Sequence, residues 1–523
     1  MSIARFSWRQ LWKGAVIWSA VSGVVVLTGV ATFESAYTTA ASRRAFAVSI
    51  GRLPAFQALY GRAAGVDTAG GFIAWRYGDV LTVVIGLWAL LAVTRMFRGD
   101  EDTFRADVLL AGPESPRRLM VSEFAMLLSG CALIMVIVAL SSIASGLAVG
   151  GSLLFGFMVA GGGVAFGAIA ALTSQLFDTR RRAAGWAGAA LGVSYLVRAL
   201  ADGSSGLRWL GWLTPLGWTE RIEPFTGANG GPIVLLLGVA AIVFGFALYL
   251  RERRDTSRGL LGSRAGRAGA RSIGSALALD WYLSTGALVA WATGIFVGLF
   301  VLGYLTHDMG RFAAENPTID DMITRIYGFS ISSAVGFLSL AFSVVALVLA
   351  VYAGTHMMSA REEETSGRVD ALVVVGTSRA RWLVSRVGVA LGAMLALALV
   401  AAVGAWAGAN VSGASVSLRD VVAASYNVIP TALFFGGLSV LAFGAVPRLT
   451  ATVAFGAVAV AFLVQIVGGI ASAPSWVSKL SPFSHIAPVP AASVDVTATI
   501  VMLAVAVVAA ALGVFAFAHR DIA

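Results

Sequence analysis

The chain has 523 residues, of which 58% are hydrophobic and only 12% charged, and its formal net charge is +10. Soluble proteins carry about 25% charged residues, so this composition excludes a soluble globular enzyme and implies an integral membrane protein. The positive charge lies in short arginine-bearing segments between apolar runs, a pattern of membrane orientation and contact with membrane lipids, not of nucleic-acid binding.

The N-terminal stretch Arg5-Phe6-Ser7-Trp8-Arg9-Gln10-Leu11-Trp12-Lys13 mixes basic and aromatic residues and reads as an interfacial helix. A first span follows over about Gly14–Phe33, long enough to cross a bilayer without being a cleaved leader. Glu34 to Tyr77 is Gly-rich and mixed and reads as an outside loop with room for a short helix, ahead of a second span over about Gly78–Met96. Spans three to six fall near Leu119–Leu147, Ser152–Leu172, Ala183–Leu200 and Ile233–Leu250, with the basic turn Arg180-Arg181-Arg182 between the fourth and fifth. Residues 251–271 hold seven arginines among Gly, Ser and Ala and read as a cytoplasmic linker. The second half then repeats the plan, with spans near Ser284–Tyr304, Gly328–Tyr352, Leu383–Gly408, Val421–Val446, Ala451–Ile470 and Val496–Phe517. Asn427 and Pro430 suggest a break in the tenth span. The domains expected are a first six-span repeat (1–250), the linker (251–271) and a second six-span repeat (272–523).

The strongest repeat signal is a charged loop after the second span of each half. Arg98-Gly99-Asp100-Glu101-Asp102-Thr103-Phe104-Arg105-Ala106-Asp107 reappears as Arg361-Glu362-Glu363-Glu364-Thr365-Ser366-Gly367-Arg368-Val369-Asp370, an offset of 263 (368 − 105). Leu109, Ser115 and Arg118 fall on Leu372, Ser378 and Arg381, and Arg254-Asp255 matches Arg520-Asp521 once small gaps are allowed. Glu101 with Arg105, and Glu364 with Arg368, have the i, i+4 spacing of ion pairs on one helix. Two copies in register favour matched docking ridges for a cytoplasmic partner over a solvated topological anchor. Loop charge puts both ridges, the linker and both termini in the cytoplasm. An even number of spans per half makes the two halves parallel. The fold class expected is therefore an all-α polytopic membrane protein of two parallel six-helix repeats, with cytoplasmic coupling helices between spans 2 and 3 and spans 8 and 9.

Little else carries chemistry. A single cysteine, Cys131, excludes an intrachain disulfide and a cysteine-based metal site. The four histidines are scattered and form no metal pair or hydrolytic triad. The phosphate loop Gly-x-x-x-x-Gly-Lys-[Ser/Thr] is absent, Lys13 and Lys479 being the only lysines. No catalytic residue, metal or cofactor is assigned to this chain.

The run Glu-Glu-Glu-x-x-Gly-Arg-x-x-x-Leu, with Ser-Arg ahead of the next span, resembles the ABC-2-type permeases of ATP-driven exporters. The doubled form resembles the fused permeases of the polyketide-antibiotic (tetronasin-type) exporters of high-GC Gram-positive bacteria. Pro54-Ala55-Phe56-Gln57-Ala58-Leu59-Tyr60-Gly61, Gly70-Gly71-Phe72-Ile73-Ala74-Trp75-Arg76 and Thr214-Pro215-Leu216-Gly217-Trp218 fit that family's outside segments. The resemblance implies a permease subunit in the bacterial cytoplasmic membrane, not itself an enzyme, exporting antibiotics or other amphipathic compounds. It also implies two copies of a separate ABC ATPase, holding the ATP and Mg, docked on the loops. By match, the coupling residues are Glu101, Arg105 and Asp107 in the first half. Those of the second half are Glu362, Glu363, Glu364, Gly367, Arg368 and Asp370. Phe104 departs from the pattern where the second loop has Gly367, which makes equal coupling of the two halves doubtful. In this family type spans two and five of each half face the cavity, nominating Trp88, Tyr195, Phe337, Phe342, Phe462 and Gln465 for the substrate path. The alternative is a twelve-span ion-coupled secondary drug transporter. Against it, Asp79, Glu123 and Asp280 read as lying at span ends, whereas ion coupling needs an ionisable group near mid-membrane.

Overall fold

The structure, a computed structural model, describes residues 3–51, 57, 60–112, 115–203, 205–254, 258–261, 275–315, 317–374, 376–414, 416–470 and 475–520. The described residues are helical with short connections and hold one isolated bridge, Phe177 with Leu261, and no sheet. Among the described residues twelve helices are long and apolar enough to cross a membrane. The all-α polytopic membrane class expected from composition is therefore the observed one. The chain divides into two compact units, Met1–Gly266 and Arg267–Ala523.

In the first unit the spans are Trp8–Ala36, Ala69–Asp102, Pro116–Ala144, Val149–Leu176, Arg180–Gly203 and Gly231–Arg253. In the second they are Ala276–Gly310, Ala334–Thr365, Arg379–Val411, Leu418–Ala445, Pro447–Ile466 and Val496–His519. Both units use one packing scheme: first span along third, second along fourth, fourth along sixth. Small residues set these approaches, as they must where lipid and helix are equally apolar. A Cβ on Gly444 would overlap the Gly513 carbonyl, so the tenth and twelfth spans touch backbone to backbone. Each unit has its own apolar core, one around Leu90, Leu127 and Phe166, the other around Leu338, Leu349 and Leu397. Val234, Ile242 and Phe515 stay exposed on the outer faces, as lipid-facing residues do.

Polar caps mark several starts. Ser115 accepts from the Arg118 amide at 3.2 Å with Pro116 in the first turn, and Ser378 accepts from the Arg381 amide at 3.3 Å. These are the residues at matched repeat positions, so the third and ninth spans begin alike.

Four sequence expectations change. Arg5–Lys13 is not a separate interfacial helix: Ile3–Ala36 is one helix, and Leu11 and Ala15, one turn apart, are both buried. The matching stretch before the seventh span is likewise continuous in Ala276–Glu315. The outside loop does hold a short helix, Ala40–Gly51, as the sequence allowed, but the second span begins at Ala69 and not near Gly78, and Thr68 there accepts from the Gly71 amide at 3.1 Å. Asp79 consequently lies well inside that span, 2% exposed, and not at its end. The suggested break in the tenth span is present, between Leu418–Asn427 and Ile429–Ala445.

Candidate functional site

Each charged loop is a helix end, a left-handed residue and a short second helix. In the first unit the second span runs through a π-turn, Arg95–Gly99, to Asp102. Phe104 then takes φ 58°, and Arg105–Leu110 resumes the helix. In the second unit the eighth span ends at Thr365, Gly367 takes φ 72°, and Arg368–Val374 follows. Phe104 and Gly367 hold the same repeat position and the same left-handed backbone. Glycine adopts it freely, whereas a residue with a Cβ is strained there by about 1–2 kcal/mol. No atom lies within 4 Å of a Cβ built on Gly367, so the turn, not close approach of another chain segment, accounts for the glycine.

This break overturns the expected pairing. Glu364 and Arg368 lie on different helices, and so do Glu101 and Arg105. Glu101 is instead buried among three guanidinium groups: Arg98, Arg251 at 2.9 Å and Arg254 at 2.7 Å. Glu364 pairs with Arg520 at the end of the twelfth span, the repeat counterpart of Arg254 at the end of the sixth. Arg105 faces Asp100 at 3.8 Å while remaining mostly exposed.

The preceding acids also match. Asp100 accepts from the Gln10 side chain at 3.0 Å, which ties the loop to the first span. Glu363 lies 2.5 Å from Arg386, which meets Asp280 of the seventh span at 3.3 Å. In both units, then, the second acid fastens the loop to the end of the last span of the same half, while the first acid meets the first span directly in one unit (Asp100 with Gln10) and the ninth span in the other (Glu363 with Arg386, which in turn meets Asp280 of the seventh). The first loop is fastened further. Arg98 donates to the Asp178 carbonyl at 2.9 Å, Arg254 to Gln175 at 2.8 Å, and the Arg180 amide to Asp102 at 2.9 Å. Burial lowers the Arg254 guanidinium below its ordinary value, and the adjoining Glu101 opposes that shift.

Below the short helices Ala106 and Val369, again at matched positions, are buried at 3% and 1% exposure. Above them Arg105, Asp107, Glu362, Gly367, Arg368 and Asp370 face outward with Phe104 and Val108. The nine residues nominated from the sequence thus divide into three that hold the loop (Glu101, Glu363, Glu364) and six presented on its surface. Arg98, Arg251, Arg254, Arg386 and Arg520 were missed as site residues. A repeat signal was present for three of them, Arg98 in its match to Arg361 and Arg254 and Arg520 in the match of Arg254-Asp255 to Arg520-Asp521.

The six nominated path residues are spread through the two cores. Trp88 packs where Cβ atoms on Gly14 and Gly130 would stand, and Tyr195 lies beneath Arg198, 4.7 Å from ring centroid to guanidinium. Phe342 is buried in the second core, Phe337 is buried at 7% exposure, Phe462 meets Phe483 edge-on at 6.2 Å, and Gln465 is 3% exposed. None of the six lines the apolar cavity of about 160 Å³ bounded by Met357, Met394, Val440 and Leu503. Among the described residues no group of three metal-ligating side chains converges.

The family model described as "Multidrug efflux system permease Rv1217c, C-terminal domain" matches residues 4–250 and 273–518. A curated relative, the multidrug efflux system permease protein Rv1217c of Mycobacterium tuberculosis, is 31% identical over 502 residues, covering 94% of this chain and 89% of that protein.

Proposed function

Because the chain belongs to the multidrug efflux system permease family, we propose that it is the membrane subunit of an ATP-driven exporter of amphipathic drugs, with two copies of a separate ABC ATPase on its charged loops. The observation that carries this reading is the doubled loop. Each half presents a short exposed helix, Arg105–Leu110 or Arg368–Val374, and adjacent acids on the helix end just before it are held to other spans of the same half, Glu101 and Glu364 to the end of the last span, Asp100 to the first and Glu363 to the third. A push on the exposed face would therefore reach other spans of the same half through buried, charge-assisted contacts. ATP and Mg belong to the partner in this scheme, and the narrower assignment to the tetronasin-type exporters rests on the sequence motifs alone. The linker, both loops and both termini would lie on the cytoplasmic side of the bacterial cytoplasmic membrane.

The buried Asp79–Arg198 pair, 2.8 Å apart inside the second and fifth spans, favours the second reading, an ion-coupled carrier. One experiment separates them. The chain is expressed in a drug-sensitive host with and without the ATPase of the neighbouring reading frame, and drug efflux and vanadate-sensitive ATP hydrolysis are followed. Export that needs the ATPase and is lost in Arg105→Glu and Arg368→Glu supports the exporter. Export by the chain alone that collapses with an ionophore supports the carrier.

A further inference from the structure

The third and sixth spans of the first unit meet through a stacked pair of rings, Phe124 and Phe244, with 3.9 Å between centroids. The repeat gives the second unit Val387 and Ala510 at those two places. Position 124 + 263 is 387, and the match of Arg254 to Arg520, an offset of 266, carries 244 to 510. Burial fixes the register. Leu236, Ala240 and Ala247 are buried along the sixth span as Met502, Ala506 and Gly513 are along the twelfth. Leu119, Leu127 and Ile134 are buried along the third span as Trp382, Ala390 and Leu397 are along the ninth.

Where the two rings are replaced by smaller side chains there is space. Val387 and Ala510 both border the apolar cavity of about 160 Å³, and both also line a groove of about 550 Å³ on the outer face between the ninth and twelfth spans. Ala380, Val384, Val387 and Met394 form one wall of this continuous space, with Leu503 and Val514 on the other. His519 is the one polar side chain among the described residues that line it. An apolar cavity of about 150 Å³ stays dry and accepts an apolar molecule. An apolar ligand, not water, therefore fills this gap.

We propose that the groove seats one acyl chain of an anionic phospholipid. It opens on a lipid-facing surface, where Val384 and Phe515 are 55% and 64% exposed. Its wall from Ala380 to Met394 covers 394 − 380 = 14 residues, or about 21 Å at about 1.5 Å per residue. One leaflet of the hydrocarbon core is about 15 Å thick, so a single chain can run the length of the groove without meeting a polar wall. The end beside the charged loop is basic. There Arg379 donates to the Arg520 carbonyl at 2.8 Å, bridging the two helices, and Arg381 and His519, next along those helices, are exposed. Such a cluster between spans suits an anionic lipid head. The cavity also borders Met357 of Ala334–Thr365, the helix that leads into the second charged loop, so the seated chain lies against that helix. Neither cargo nor ATPase is needed for this binding, which goes beyond the drug-efflux reading.

The test uses the full chain, delipidated in detergent, with palmitoyl-oleoyl phosphatidylglycerol and the phosphatidylcholine of the same chains, read by native mass spectrometry and by the thermal midpoint. Wild type retains phosphatidylglycerol over phosphatidylcholine by about fivefold or more, as one basic residue near a lipid head provides. Its midpoint rises by about 5 °C or more at saturating phosphatidylglycerol. Val387→Phe combined with Ala510→Phe rebuilds the ring pair of the first half, so the variant loses both the retained lipid and the lipid-dependent rise. Ala510→Leu is the milder variant and decides the matter where the double variant fails to fold; it reduces both. Arg381→Gln keeps the rise and loses most of the preference for phosphatidylglycerol. An undiminished lipid response in Ala510→Leu, or equal retention of the two lipids by wild type, overturns the proposal. A midpoint raised by rhodamine 6G and by neither lipid gives the groove to cargo, and a dimer in detergent that Ala510→Leu disperses gives it to a second copy of the chain; either result overturns the proposal as well.

Discussion

Replacing Glu101 by glutamine withdraws one negative charge from among Arg98, Arg251 and Arg254, whose side chains are 0%, 5% and 2% exposed. Removing one partner of a buried ion pair costs about 3–5 kcal/mol, because the remaining charge has nowhere to go. Glutamine keeps the shape and one acceptor oxygen, so the lower figure, about 3 kcal/mol, is the expectation. Glu364 is bound by Arg520, whose side chain is 18% exposed, and water screens that charge when its partner is lost. The equivalent Glu364→Gln change should cost about 1 kcal/mol. For folding units of some 250 residues each kcal/mol moves the unfolding midpoint by about 2–4 °C. Glu101→Gln therefore lowers the midpoint by about 6–12 °C and Glu364→Gln by about 2–4 °C. The assay is intrinsic tryptophan fluorescence of the detergent-purified chain, at one scan rate because such unfolding is rarely reversible. Adding Arg254→Gln to Glu101→Gln should cost less than the sum of the single changes, since the two groups touch. Equal shifts for Glu101→Gln and Glu364→Gln, or simple additivity with Arg254→Gln, would refute the claim that this acid clamps the loop.

Other consequences are separable. Phe104→Gly relieves a left-handed residue and should raise the midpoint by a few degrees, about 1 kcal/mol, whereas Gly367→Ala should lower it; a fall with Phe104→Gly would mean that the ring contributes more than the backbone costs. In a Cys131→Ala background, Ser366→Cys should resist a membrane-impermeant thiol reagent in whole cells and Thr38→Cys should react, and the reverse pattern would invert the topology. Arg105→Glu and Arg368→Glu change exposed side chains, so they should leave the midpoint within about 0.5 kcal/mol of wild type while reducing ATPase co-purification. A large loss of thermal stability in either would instead make it part of the clamp.

The fold was legible because composition and repeat act on the whole chain. Apolar runs of spanning length leave few alternatives in a bilayer, where every backbone group must be paired internally. The charged loop was legible as a repeat but not in its wiring. Helical spacing pairs Glu364 with Arg368 only if the helix continues, and one left-handed residue at Gly367 ends it. The true partner, Arg520, is 156 residues away, a distance that no local pattern encodes. The start of the second span was obscured for a related reason. Gly70-Gly71 reads as loop composition, yet it can be helical where neighbouring backbone comes close: a Cβ on Gly71 would overlap the Gly65 carbonyl.

The halves share part of their wiring at the charged loops and diverge within the spans. The acids at repeat positions 101 and 364 both reach an arginine at the end of the last span, whereas their neighbours differ, Asp100 meeting Gln10 of the first span and Glu363 meeting Arg386 of the ninth. A shared mechanical task would keep such a pattern through divergence of the surrounding sequence. Farther along the same helices the constraint disappears. Asp79 is met by Arg198 in one unit, and Phe342 at its repeat position is met by apolar neighbours in the other.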